Sequence, residues 1–157
     1  MTDFADAFNR GQSAAVRAAQ ARAEIDAVFT SASTQLSEIT QGRLELGRHD
    51  FDVVKAAGRW LVGESIESLL GPKEREPWVA ARNPKAVDSG WVKLARWDRP
   101  REGYPCALKY ENREVRCHDE EALTNAIAEL LASAWGGERL HALLSRPVRQ
   151  EGHSEDA

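Results

Sequence analysis

Cys106, Cys117, His118 and His141 carry the side chains from which a soft-metal site or a thiol nucleophile is built. Their spacing argues against both. There is no C-x-x-C pair to supply the closely spaced ligands of a zinc centre. Cys117 and His118 are neighbours in a segment that reads as a strand, so their side chains leave opposite faces and do not converge on one ion. The same alternation disqualifies Cys117-His118-Asp119 as a catalytic trio, because a cysteine needs its base within hydrogen-bond reach. His49-Asp50-Phe51-Asp52 collects polar groups but reads as a helix start. G-x-S-x-G, P-loop and G-x-G-x-x-G patterns are absent. No catalytic residue, metal ligand or cofactor is assigned, and the chain reads as a non-enzyme.

Charge and aromatic placement are more informative. Residues 72–116 hold 11 Lys or Arg against 7 Asp or Glu, a local net of +4 in a chain whose formal net charge is −4. Trp78, Trp91, Trp97, Tyr104 and Tyr110 are interleaved with these cations. On a strand from Trp91 to Trp97, strict alternation puts Trp91, Lys93, Ala95 and Trp97 on one face and Val92, Leu94 and Arg96 on the other. If Val92 and Leu94 face a helix, both tryptophans point outward. Trp and Arg contribute most affinity at protein contacts. Trp91, Arg96, Trp97 and Tyr104 are therefore the expected partner-binding residues, with Arg96 joining the tryptophans only if it lies at a sheet edge.

The elements that position them follow from pattern. Residues 1–11 read as a flexible leader. From Gln12 to at least residue 40, Ala, Arg, Glu and Gln predominate. Ala14, Ala18, Ala21, Ile25, Val28 and Ala32 recur at spacings of four and three, the mark of one helical stripe. Arg43-Leu44-Glu45-Leu46 reads as the last helical turn or a short strand, with the helical turn preferred. Asp50 is read as the N-cap of a second helix carrying Val54, Leu61, Val62, Ile66 and Leu69, stopped by Gly71-Pro72. Residues 12–71 thus predict a helical hairpin, with small residues letting the two backbones approach.

After a polar linker, Lys73 to Pro77, short extended segments begin. Trp78 to Ala81 is the weakest candidate. Trp91 to Trp97 is a good one, and Tyr104 to Tyr110 with Arg113 to Cys117 makes a hairpin. A turn at Glu111-Asn112 pairs Lys109 with Glu114, Leu108 with Val115 and Cys106 with Cys117. A disulfide between the facing cysteines is within reach but is expected to stay open in a reducing compartment. Asp119 caps a helix to Trp135, ended by Gly136-Gly137, and a short helix follows with Leu140, Leu143 and Leu144. Residues 147–157 read as a disordered tail.

The expected architecture is α+β: an N-terminal helical hairpin, then an antiparallel sheet of three or four strands over residues 72–146 with a C-terminal helix packed on it. An acidic start without a basic flank and an apolar core does not read as a secretory signal, and the longest apolar runs fall short of a membrane span. A cytoplasmic protein is expected. The leading functional expectation is a non-catalytic interaction protein, an adaptor, inhibitor or assembly factor, binding through a Trp/Arg-bearing sheet face. A nucleic-acid-associated protein using the same face comes second, and a small enzyme without a recognisable motif third. The first helix adds the expectation of a homodimer through residues 14–39, because part of its stripe outruns any partner within the chain.

Overall fold

The computed structural model describes residues 3–53 and 74–150. Helix α1 runs from Phe4 to Ile39, 36 residues, or about 54 Å at 1.5 Å per residue. It starts eight residues before the expected boundary because Asp3 caps it. The Asp3 carboxylate accepts from the backbone N–H groups of Ala5 and Asp6 at 3.0 and 3.2 Å. The residues read as a leader are therefore helical from Phe4 on. At the other end Gln41 and Gly42 adopt positive φ, and the Gly42 N–H returns to the Ser37 carbonyl at 2.7 Å.

The chain then departs from the expected hairpin. Glu45–Asp52 is strand β1, not a helix end and a new cap. Leu44 and Leu46 are two residues apart and both buried, with Glu45 and Gly47 between and beyond them facing away. That spacing fits a pleat and cannot lie on one helical face. Asp50, read as an N-cap, pairs with Pro77 inside the sheet ladder. The remainder of the expected second helix, Val54 to Gly71-Pro72, lies outside the described residues.

Five strands rather than three or four form one antiparallel meander in the order β1-β2-β3-β4-β5, with β2 at Arg75–Arg82, β3 at Val92–Asp98, β4 at Cys106–Tyr110 and β5 at Arg113–Cys117. The linker expected at 73–77 already belongs to β2 from Arg75. Pro77 is tolerated there because the β2–β3 ladder ends at Trp78 and Pro77 pairs only with β1. The weakest strand candidate is a buried one: Val79, Ala80 and Ala81 are fully enclosed. The β4–β5 hairpin has the anticipated register, Lys109 on Glu114, Leu108 on Val115 and Cys106 on Cys117. Glu111 and Asn112 both take positive φ, 49° and 63°, the geometry of a two-residue type I′ turn.

Two helices close the fold. Asp119 caps α2, Glu120–Ala132, by accepting from the Ala122 N–H at 2.8 Å. The helix was expected to run on to Trp135, but Ser133 breaks it. Ser133 ends α2 and caps α3, Ala134–Leu144, its hydroxyl accepting from the Gly136 N–H at 3.0 Å. Gly136 is needed inside the corner and does not end a helix: a Cβ there would fall 2.0 Å from the Leu130 carbonyl oxygen. The tail expected from residue 147 begins with residues 147–149 held along 85–87, with an Ala86–Val148 bridge.

The three described helices cover one face of the sheet. Ile25 and Phe29 of α1, Leu123 and Leu130 of α2 and Leu143 of α3 join Leu46, Val79, Leu94, Trp97 and Leu108 in a single core. At Ala21 the alanine stripe of α1 meets a loop. Gly103, at φ +95°, approaches so closely that a Cβ on it would lie 2.6 Å from the Ala21 Cβ.

One irregularity decides which side chains face which way. The β2–β3 register slips between Val79 and Ala80: Val79 pairs with Ala95, Ala80 with Lys93, and Leu94 is the unpaired extra residue. At the bulge the Leu94 carbonyl accepts from the Trp135 indole N–H at 2.8 Å. Trp135→Phe removes that donor while keeping an aromatic ring. The expected loss is about 1–3 kcal/mol for an orphaned buried carbonyl, read as a lower urea midpoint with an unchanged slope.

Candidate interaction surface

Downstream of the bulge the alternation is inverted. Ala95 and Trp97 turn inward, Arg96 turns outward, and Trp91 and Lys93 remain outward. The four expected partner-binding residues therefore separate. Trp91 and Arg96 stand on the face turned away from the helices. Trp97 is 5% exposed and packs edge-to-face on Phe29, ring centres 5.2 Å apart. Its placement with Trp91 assumed unbroken alternation, and the extra residue at Leu94 defeats that assumption. Tyr104 lies in the loop before β4, half-buried beside α1, where its hydroxyl donates to the Glu24 carboxylate at 3.0 Å.

The outer face gains residues outside the expected contact set. β1 contributes His49 and Phe51, and β2 contributes Trp78 and Arg82. The His49 ring stacks on Trp91 at 5.3 Å and 14°, and meets Phe51 edge-on at 4.9 Å. The Arg82 guanidinium lies over Trp91 at 5.1 Å. The Lys93 ammonium sits over both Trp78, at 4.8 Å, and Phe51, at 5.2 Å. Gly47 makes room for Trp91: a Cβ at Gly47 would touch the indole at 3.4 Å. The signal that would have found His49 and Phe51 is the period-two run Gly47, His49, Phe51 against Leu44 and Leu46.

The cations of this face have their own counter-charges. Arg82 pairs with Glu45 at 3.0 Å, Arg96 with Glu76 at 3.3 Å, and Arg116 with Glu114 at 3.2 Å. Glu76 also accepts from the Trp78 indole at 2.8 Å. Lys109 lies between Arg96 and Glu114 across the ladders. The surface is thus aromatic, studded with charge and close to locally neutral.

The residues that might have formed a catalytic or metal centre are dispersed. His49 and His118 lie at opposite edges of the sheet, on β1 and just beyond β5. Cys106 and Cys117 face the core as free, buried thiols, whereas His118 and His141 are exposed. Hydrogen bonding with Cys117 and burial push the Cys106 thiol well above its ordinary range. Among the described residues no group of three or more His, Cys, Asp or Glu is placed to hold a metal ion, and no helix is long and apolar enough to cross a membrane.

No family model, curated protein or solved structure matches the chain.

Tyr104 gives the surface beside α1 a pH signature. Burial first, then the hydrogen bond and charge of Glu24, push its phenol far above the ordinary tyrosine value. A raised folded pKa means that the stability it contributes is whole below the unfolded value, about pH 10, and is lost as pH rises through that value towards the folded one. Urea melts between about pH 9 and about pH 11 should show stability falling with pH, and Tyr104→Phe should flatten that slope.

Proposed function

We propose that this chain is a non-catalytic interaction protein, an adaptor, inhibitor or assembly factor, that takes a polypeptide partner on the outer face of its sheet. The observation that carries this reading is the pairing of Arg82, Arg96 and Arg116 with carboxylates on the same face while Trp91, Trp78, Phe51 and His49 stay at the surface. Stacked aromatics and salt-bridged arginines are the groups that dominate affinity at protein interfaces. Free, buried thiols fit a reducing compartment such as the cytoplasm.

Single-stranded nucleic acid is the second reading, favoured by the same half-buried rings and by Lys93 between them. The internal carboxylates weigh against it. A phosphate chain would have to displace Glu45, Glu76 and Glu114 or lie beside them, and phosphate binding draws its affinity from cations left free.

Affinity capture from the organism that encodes the chain, followed by mass spectrometry, compares wild type with the Trp91→Ala, Arg96→Ala double variant. The expected outcome is a specific protein that binds wild type and is lost with the variant. A central aromatic anchor of this kind is worth about 2 kcal/mol or more, roughly thirtyfold in affinity. Equal recovery by both proteins refutes the assignment. Anisotropy of labelled single-stranded DNA or RNA that rises at about 50 mM salt and vanishes by about 200 mM transfers it to the second reading.

A further inference from the structure

We infer that the groove between α1 and α2, on the helical side of the molecule, takes an amphipathic helix of a partner protein and seats that helix's Lys or Arg residues at its acidic end. The inference goes beyond the sheet-face reading and stands without it. Two stripes line the groove. On α1, Glu24, Val28, Ser31, Gln35 and Ile39 recur at spacings of four and three. On α2, Glu120, Thr124, Ile127 and Leu131 do the same. The space between them is about 490 Å³, within the range of clefts that hold ligands by apolar contact. Val28 and Ile127 are buried in the floor, Leu131 is half-buried, and Ile39 stands 77% exposed at the far end. Ala27 and Ala128 on the walls are small, so a third helix can approach to the usual 8–10 Å. From Glu24 to Ile39 the groove runs about 22 Å, or four helical turns.

Charge selects the occupant and its direction. Glu24, Glu120 and Glu121 border one hollow, which shares Glu120 and Thr124 with the groove. After burial and the Glu24 hydrogen bond, the charges of Glu24 and Glu120 both help to raise the Tyr104 phenol. Among the described residues no Lys or Arg forms an ion pair with these three carboxylates, and none lines the groove. The far end, at Ile39 and Leu131, has no charged lining. A partner helix with Lys or Arg in its last turn complements both its own dipole and these acids. Running antiparallel to α2, it also lays its negative end beside the positive end of α2 at Glu120. Nucleic acid and acidic peptides are repelled by the same carboxylates. Arg17 lies two turns beyond Glu24 on the α1 stripe, about 10 Å away, and marks where the footprint stops.

The probe is a labelled synthetic helix of about 16 residues, matched to the groove's length, with leucines at alternating spacings of three and four and lysines in its last turn. Two companions carry the lysines in the first turn, or glutamates in the last. Anisotropy with the full chain should show the first probe binding about tenfold more tightly than either companion. Ala128→Lys changes an exposed position to a good helix former. It should leave circular dichroism and urea melting close to wild type and weaken binding about tenfold or more, by setting a cation among the apolar contacts. Glu120→Lys should abolish or reverse the preference for the lysine-ended probe over the glutamate-ended one. The Trp91→Ala, Arg96→Ala double variant should bind the probe as wild type does, which separates this groove from the sheet face. Absence of binding, equal binding of the three probes, or binding indifferent to Ala128→Lys overturns the inference. So does self-association in sedimentation that Ala128→Lys abolishes, which would give the groove to a second copy of the chain.

Discussion

The bulge at Leu94 is the constraint on which the outer surface depends. A single extra residue in β3 reverses the alternation of everything after it. Without it, Arg96 would point at the helices and Trp97 at solvent. With it, Trp97 fills the space beside Phe29 and Arg96 reaches Glu76. The slip persists because its backbone cost is met locally. The displaced carbonyl finds the Trp135 indole, and Leu94 and Ala95 can both be buried in succession. An indole on α3 thus fixes the orientation of a strand residue on the opposite face of the sheet.

The parts of the fold that were legible in sequence share one trait: the cues there are local and agree with one another. In the β4–β5 hairpin, turn position, opposite charges and apolar pairs all require one register. At Asp119, cap, first-turn acids and apolar stripe coincide. The parts that were not legible depend on distant neighbours. Nothing near Leu94 announces a bulge, since the donor that stabilises it is 41 residues away. The β2 strand is rich in alanine, a poor strand former, and owes its place to burial between β1 and β3. β1 was misread because its acids and glycines suggest caps, although Leu44 and Leu46 already carried the pleat. Two of the expected contact residues stand on the outer face for this reason: Trp91 precedes the slip, and Arg96 was brought outward by it.

The two faces of the sheet solve different problems. The inner face carries the apolar core, beside which the Arg48 guanidinium lies 4.6 Å from the Phe29 ring centre and pairs with Asp26. The outer face carries large rings that no described helix covers, and cations resting on those rings make it compatible with water. Lys93 shields Trp78 and Phe51, and Arg82 shields Trp91. A surface of this composition stays solvated alone and still offers flat hydrophobic area once a neighbour displaces the cations.

The meeting of Gly103 with Ala21 has a mechanical consequence. There is no room for even a methyl group between them, and Arg22 is tied to the Arg101 carbonyl beside the same point at 2.7 Å. The rod is therefore locked in azimuth: it cannot roll about its own axis without driving one backbone into the other. The compass bearing of its protruding end is dictated by a surface loop between two strands, and any torque applied far out on the rod is delivered to that loop.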